Sequence, residues 1–244
     1  MKDLKAISLV PSITETLYSL GLNEEVVGIT KFCVHPQDWF RTKERVGGTK
    51  NIHIQKIREL QPDLIIANKE ENVKEQVEEL AKDFEVLLTD VNNFEEALQM
   101  TRSVGNAVSK GFEADQLTAG IERKFSKINP AEQKTAAYLI WQNPYMTVGG
   151  DTFIHEMMKK AGFENIFADT NRYPETQINE LKELKPEYLL LSSEPYPFKQ
   201  KHIDELQQQL PGTKVILVDG EMFSWYGSRM LLAADYFRRL RLSL

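Results

Sequence analysis

Apolar positions recur every three or four residues from 93 to 129: Phe94, Ala97, Leu98, Val104, Val108, Phe112, Leu117, Ile121, Phe125 and Ile128, with Thr101 in the same stripe. That period belongs to a helix that buries one face. It predicts a single helix with Asn93 as N-cap, Glu96 completing a capping box and Pro130 as the stop. At ~1.5 Å per residue the helix would run roughly 50 Å, long enough to link two lobes and without a hinge. Gly105, Gly111 and Gly120 each lower helix propensity by up to ~1 kcal/mol relative to Ala. Two helices broken at Gly111 are therefore the alternative.

On either side of this stretch, short apolar runs alternate with amphipathic ones. Strands are predicted at residues 6–10, 26–29, 64–67, 86–88, 135–140, 188–191 and 215–218. Helices are predicted at 13–20, 54–60, 73–81, 153–161, 178–184, 203–210 and 228–240, the first capped by Ser12 with Glu15 in its capping box. Residues 31–50 and 141–151 read as irregular. Such alternation implies α/β architecture with mostly parallel sheets covered by helices.

The two halves also repeat each other. Residues 54–70 read IQKIRELQPDLIIANKE and residues 178–194 read INELKELKPEYLLLSSE, a constant offset of 124. A weaker match pairs residues 13–21 with 154–162, an offset of 141. The chain therefore divides into an N-terminal α/β lobe (1–92), a linking helix (93–129) and a similar C-terminal α/β lobe (130–244). Ligands of open α/β sheets bind beyond the carboxyl ends of the strands, so a cleft between the lobes is the expected site.

Composition narrows the function. Net charge is −6 with no basic block, which argues against nucleic acid. No window approaches ~18 uninterrupted apolar residues, so no membrane-spanning helix is expected. One cysteine, Cys33, excludes an internal disulfide and a cysteine zinc cluster. No export signal precedes the first strand. Phosphate-loop, nucleophile-elbow, zincin and dinucleotide motifs are missing, and no catalytic or metal-ligating set can be assembled. His53, His155 and His202 read as surface or capping residues. His35, beside Cys33, could touch a metal or cofactor.

The loops after strands carry the aromatics Phe32, Trp39, Trp141, Tyr145, Tyr173, Trp225 and Tyr226, with Ser12, Thr14, Thr49, Lys50, Arg172, Ser228 and Arg229 as polar neighbours. Aromatic walls with a few polar anchors suit a sizeable ligand. The ligand-binding set is Ser12, Phe32, His35, Thr49, Lys50, Trp141, Tyr145, Tyr173, Trp225, Tyr226 and Arg229. Glu70 and Glu194 end the two repeats at equivalent positions. One carboxylate per lobe could meet two arginines on a partner; a solvated acidic run is the bland alternative.

Several segments together resemble one family. They are Ser8 to Ser12 with Thr14 and Glu15, Phe32 to Pro36, Val46 to Thr49, Pro62 to Ala67 with Glu70 to Asn72, Ser193 to Pro195 with Pro197 and Phe198, and Trp225 to Arg229. In this order the chain is similar to the class III substrate-binding proteins of ABC importers, the helical-backbone metal receptors, and most similar to their cobalamin-binding subgroup. The resemblance covers essentially the whole chain. It implies a non-enzymatic, monomeric receptor that binds a cobalt- or iron-containing chelate: cobalamin first, then haem or a ferric siderophore. The partner would be an ABC permease dimer with its ATPase subunits, met by Glu70 and Glu194 with Glu71 as a near alternative. It implies no covalent cofactor and a periplasmic or cell-surface location, although the missing signal leaves a cytoplasmic one open. Asn68 stands where cobalamin binders can carry an aromatic. Two other readings stay open: a tetrapyrrole or metal-cofactor enzyme such as a chelatase, and a cytoplasmic corrinoid or haem carrier or sensor.

Overall fold

The computed structural model describes residues 4–128 and 132–244. Asn129 and Pro130, the predicted end and stop of the central helix, lie outside the described residues. By its internal contacts the chain divides into two compact units. Unit 1 is Met1–Val91, Glu95–Glu122 and Trp225–Met230; unit 2 is Asn92–Phe94, Arg123–Ser224 and Leu231–Leu244.

The first half of the chain runs β1 (Ala6–Ser8), α1 (Pro11–Ser19), β2 (Val26–Ile29), α2 (Gln37–Thr42), β3 (Glu44–Arg45), α3 (Ile54–Leu60), β4 (Leu64–Asn68), α4 (Lys74–Leu80) and β5 (Glu85–Thr89). Its five strands are parallel, in the order β3-β2-β1-β4-β5. β1 and β4 are buried along their whole length. They are apolar up to their final residues, Ser8 and Asn68, because both faces of a parallel sheet are covered. Ile7, Leu9, Ile57, Ile65, Val77 and Leu80 form the core on one side.

Next come α5 (Phe94–Ala107) and α6 (Gly111–Phe125). The predicted stretch is helical, but it is not one helix. Ser109 is left-handed (φ 57°), the Lys110 N–H donates to the Gly105 carbonyl (2.6 Å) and the Ser109 N–H to the Asn106 carbonyl (3.1 Å). This is a Schellman stop with serine where glycine is usual. The chain then doubles back: the Phe94 and Phe125 rings, at opposite ends of the stretch, are 5.0 Å apart. Gly105 faces Ala114, and a side chain there would collide with it. The glycine that weakened the helix on propensity thus permits a close crossing. A helical hairpin stands in place of the continuous 50 Å helix; two helices, the second opening at Gly111, are the alternative the sequence offered, and rigidity no longer follows from helix continuity.

The second half runs β6 (Lys134–Leu139), β7 (Tyr145–Met146), α7 (Phe153–Lys160), β8 (Phe163–Asn165), β9 (Glu175–Thr176), α8 (Ile178–Leu184), β10 (Tyr188–Ser192), α9 (Gln200–Gln209), β11 (Lys214–Val218), α10 (Gly220–Ser224), a 3-10 turn (Gly227–Arg229) and α11 (Met230–Ser243). Four parallel strands take the order β11-β10-β6-β8, and β7 pairs antiparallel with β9. Leu139, Phe167, Leu181, Leu189, Leu191 and Leu206 lie in its core.

The internal repeat is structural. α3 and α8, then β4 and β10, begin and end 124 residues apart. Both helices stop on a left-handed residue before the proline, Gln61 (φ 49°) and Lys185 (φ 48°). The weaker repeat holds too, with α1 and α7 each followed by a left-handed glycine, Gly21 (φ 83°) and Gly162 (φ 84°). One detail is corrected. Ser12 does not cap α1; Val10 holds the N-cap position and Pro11 opens the helix, where its missing N–H costs nothing.

Candidate functional site

In unit 1 the carboxyl ends of the strands lead into the start of α1, the loop 31–36 and the turns 47–50 and 69–72. The segment Trp225–Met230 joins them from the far end of the chain. Gly227 has φ +79°, and any side chain there would strike Thr16 Oγ1; glycine alone fits. Thr16 Oγ1 accepts a hydrogen bond from the Ser228 N–H (3.0 Å). Arg229 grips Glu15, Nε to Oε2 at 2.9 Å and Nη2 to Oε1 at 2.7 Å. One charge-assisted hydrogen bond, from Nε, and a close ion-pair contact, from Nη2, hold the two groups together. The guanidinium also lies over Trp225 (5.0 Å), and the His35 ring meets Trp225 edge-on (5.7 Å).

His35, Trp225 and Arg229, all in the expected ligand-binding set, are therefore brought together, and Phe32 lies on the same loop as His35. Their environments differ. Phe32 is 51% exposed, with the Lys31 ammonium 5.1 Å from its ring, whereas Trp225, Tyr226 and Arg229 are buried. Ser12 and Thr49 are buried as well. Lys50 is exposed and donates to the Glu70 carbonyl (2.5 Å). Trp39, expected among the loop aromatics, is a core residue of α2: it packs edge-on against Tyr18 (5.4 Å) and donates to Asn23 Oδ1 (3.2 Å). Cys33 is fully buried, its sulfur 3.0 Å from Thr14 Oγ1 and 3.2 Å from Thr30 Oγ1, and burial pushes its thiol pKa up. Among the described residues, no three His, Cys, Asp or Glu side chains are arranged to hold a metal ion.

Unit 2 has its own aromatic edge. Trp141 is 40% exposed and rests edge-on against Tyr196 (5.7 Å), which in turn packs on Phe198 (4.7 Å) and His202 (5.6 Å). Tyr196 Oη donates to Gln142 Oε1 (2.7 Å), and Gln142 Nε2 reaches Tyr145 Oη (3.5 Å). Burial raises the Tyr145 phenol pKa. The Lys199 N–H donates to His202 Nδ1 (2.8 Å), which assigns the ring proton to Nε2, 3.5 Å from Tyr196 Oη. The β7–β9 pairing and a Thr147 N–H bond to the Pro174 carbonyl (2.9 Å) bring the Tyr173 loop alongside Tyr145. Arg172 covers Tyr173 (5.6 Å), its backbone left-handed (φ 57°) and its N–H bonded to Asp151 Oδ1 (2.5 Å).

Each glutamate turn hangs on the residue that ends the strand before it, Asn68 or Ser192. Asn68 Oδ1 accepts the N–H groups of Glu70 (2.9 Å) and Glu71 (3.2 Å), while its Nδ2 donates to the Thr89 carbonyl (3.2 Å) and Oγ1 (3.1 Å). Ser192, 124 residues on, donates its hydroxyl to the Glu194 carbonyl (2.5 Å) and accepts from Tyr138 Oη (3.0 Å). Glu194 Oε1 accepts from Ser224 Oγ (2.7 Å). Glu70, Glu71 and Glu194 are all half-buried. Burial pushes the Glu71 carboxyl up; the Lys50 ammonium opposes this and Glu70 reinforces it. Sequence reasoning missed Asn68, Ser192 and Tyr196 as organisers. The offset of 124 could have found the first two, because it aligns them just ahead of the glutamates.

The comparisons with known proteins agree with this architecture. Residues 7–214 match the family described as periplasmic binding protein. An uncharacterized ABC transporter substrate-binding lipoprotein of Bacillus subtilis is 29% identical over 199 residues, 76% of this chain and 62% of that protein. This chain thus spans less than two thirds of that relative's length. The vitamin B12-binding protein of Vibrio parahaemolyticus is 30% identical over 200 residues, 77% of this chain and 70% of its own. A periplasmic heme-binding protein from Roseiflexus, in apo form, superposes with a TM-score of 0.81 at 19% identity, covering 97% of both chains. At that identity the likeness speaks to the fold. Together with two repeated α/β units and their aromatic edges, the matches place the chain in the periplasmic binding protein family, beside relatives named as vitamin B12-binding and ABC transporter substrate-binding proteins.

Proposed function

We propose that this chain is the substrate-binding component of an ABC importer. It captures a metal chelate, a cobalamin-type corrinoid first and haem or a ferric siderophore next, and delivers it to a membrane permease with its ATPase subunits. The observation that carries the reading is an exposed aromatic at the strand-end edge of each unit: Phe32, on the loop that brings His35 to Trp225, and Trp141, braced by Tyr196. Such faces suit a large, flat, partly apolar ligand. The relative named as vitamin B12-binding supports the corrinoid as first choice. The chain acts as a monomer in the periplasm or at the cell surface.

Glu70 and Glu194 serve the permease, with Glu71 a near alternative. Their turns are duplicated while the residues around them differ, which suits a partner that offers two copies of one basic surface. Tryptophan quenching and absorbance against cyanocobalamin, cobinamide, haemin and ferric siderophores test the ligand. One of these should saturate, and Trp141→Ala should weaken it by ~1–3 kcal/mol. Binding of none would end the proposal. The double change Glu70→Ala and Glu194→Ala should leave chelate affinity intact while permease binding falls; the opposite pattern would make the glutamates ligand residues.

A further inference from the structure

Equivalent edge strands of the two units expose the same side chain. Leu88 of β5 pairs with Ala67, and Leu217 of β11 pairs with Leu191; Ala67 and Leu191 are themselves 124 apart. The two leucines are 46% and 42% exposed. Two residues earlier on the same strand face, Val86 and Val215 pack into their cores. Cover over this face therefore stops short of the strand's carboxyl end in both units. A scattered exposed leucine needs no explanation. Recurrence at one register position is different, because the exposed residue opening each strand has changed sign, Glu85 in one unit and Lys214 in the other.

The leucines belong to the glutamate turns. The Lys69 N–H donates to the Thr89 carbonyl and the Ser193 N–H to the Val218 carbonyl, both at 3.0 Å, tying each turn to the strand end beside its leucine. In unit 2, Glu194 and Leu217 line one open depression of about 520 Å³ with Ser193, Val218, Asp219 and Glu221. In unit 1 the residue matching Ser193 is Lys69, whose ammonium meets Asp90, the match of Asp219, at 2.7 Å.

We infer that Leu88 and Leu217 are apolar anchors of the permease contact, each set beside the glutamate of its own turn. This rests on the docking role proposed for Glu70 and Glu194. The occupant is a permease face that offers, in each of two copies, a guanidinium next to an apolar side chain. An apolar contact excludes water from the neighbouring ion pair and strengthens it. Leu217, facing an open depression, is the stronger anchor; the Lys69–Asp90 pair occupies the matching ground near Leu88.

The test titrates Leu217→Ser, Leu88→Ser and Glu70→Ala with Glu194→Ala against the source organism's permease–ATPase complex in nanodiscs, chosen as the one the wild-type protein stimulates. Titrations run at low and high salt, with chelate affinity and Tm measured on each variant. Leu217→Ser should weaken docking about tenfold and Leu88→Ser about threefold, and most of each loss should persist at high salt, because it comes from apolar contact. The glutamate defect should shrink at high salt. Chelate affinity and Tm should not move, and Leu217→Lys, a residue tolerated on edge strands, repeats the measurement if serine unfolds the chain. Leucine variants that dock like wild type beside a failing glutamate pair overturn the anchors and leave the glutamate contact standing. A wild-type protein that engages no such complex overturns both.

Discussion

The turn after β4 and the turn after β10 open on the same strand-end bond, Lys69 N–H to Thr89 and Ser193 N–H to Val218, and differ in nearly everything else that holds them. In unit 1, Asn68 satisfies two N–H donors and grips Thr89. In unit 2, Ser192 performs a smaller version, with Tyr138 behind it and Ser224 holding the glutamate carboxylate. Lys69 pairs with Asp90 in the first, while Ser193 Oγ accepts the Gly220 N–H (2.9 Å) in the second. The part that stays constant is the presentation of a half-buried glutamate one residue beyond the strand-end turn bond. A feature kept while its scaffolding changes points to the glutamate as the purpose of the turn.

The sharpest test of the comparison uses the weaker repeat, which aligns Glu15 with Glu156. Glu15 pairs with buried Arg229, whereas Glu156 pairs with Lys159 (3.3 Å) and Lys160 (3.7 Å) on its own helix. Glu15→Ala takes a carboxylate partner from a buried guanidinium and should cost about 3–5 kcal/mol in denaturant unfolding. Glu156→Ala should cost under about 1 kcal/mol. Equal losses would break the distinction. Asn68→Ala should cost about 2–3 kcal/mol, since several buried groups lose partners at once, against about 1 kcal/mol for Ser192→Ala. Lys69→Ser removes an exposed ion pair and should change stability by less than about 1 kcal/mol. If the matching ground in unit 1 is then freed, docking of this variant should tighten rather than weaken.

The smallest effect concerns Glu71, whose repeat partner is Pro195, so only unit 1 carries it. Its folded pKa is raised, chiefly by burial, with Glu70 adding and Lys50 opposing. The fold favours the protonated form, so the contribution is full below the unfolded value of about 4.3 and is lost as pH rises through the folded one. Glu71→Gln should therefore melt slightly higher than wild type at pH 7, and the gap should close below about pH 4. A gap that widens on acidification would reverse the assignment.

Much of the fold was legible because it is periodic. β2, α3 and α8 fall where apolar spacing and proline punctuation put them, and the repeat carries over to the capping residues Gln61 and Lys185. The elements missed, α2, β3, β7, β8, β9 and α10, span two to six residues. That is too short for a period to establish itself. His35, Trp225 and Arg229 were legible as a group by type, because aromatics and a basic residue concentrate in loops after strands. Their division of labour was not, since burial depends on what packs opposite.

By itself the sequence determined the alternation of strand and helix, the duplication, and the glutamate that ends each copy; all are local patterns written in neighbouring residues. Tertiary structure alone decided three things. The break offered at Gly111 falls on left-handed Ser109 and turns the helical stretch back on itself, so that Phe94 meets Phe125. Trp225–Met230 leaves the surrounding unit to join unit 1, where Arg229 finds Glu15, 214 positions away. Trp39 goes to the core while Trp141 stays at the surface. Periodicity reports which face of an element is buried, but not the partner that buries it. Partners so distant in the chain are chosen by shape and charge once the elements have formed.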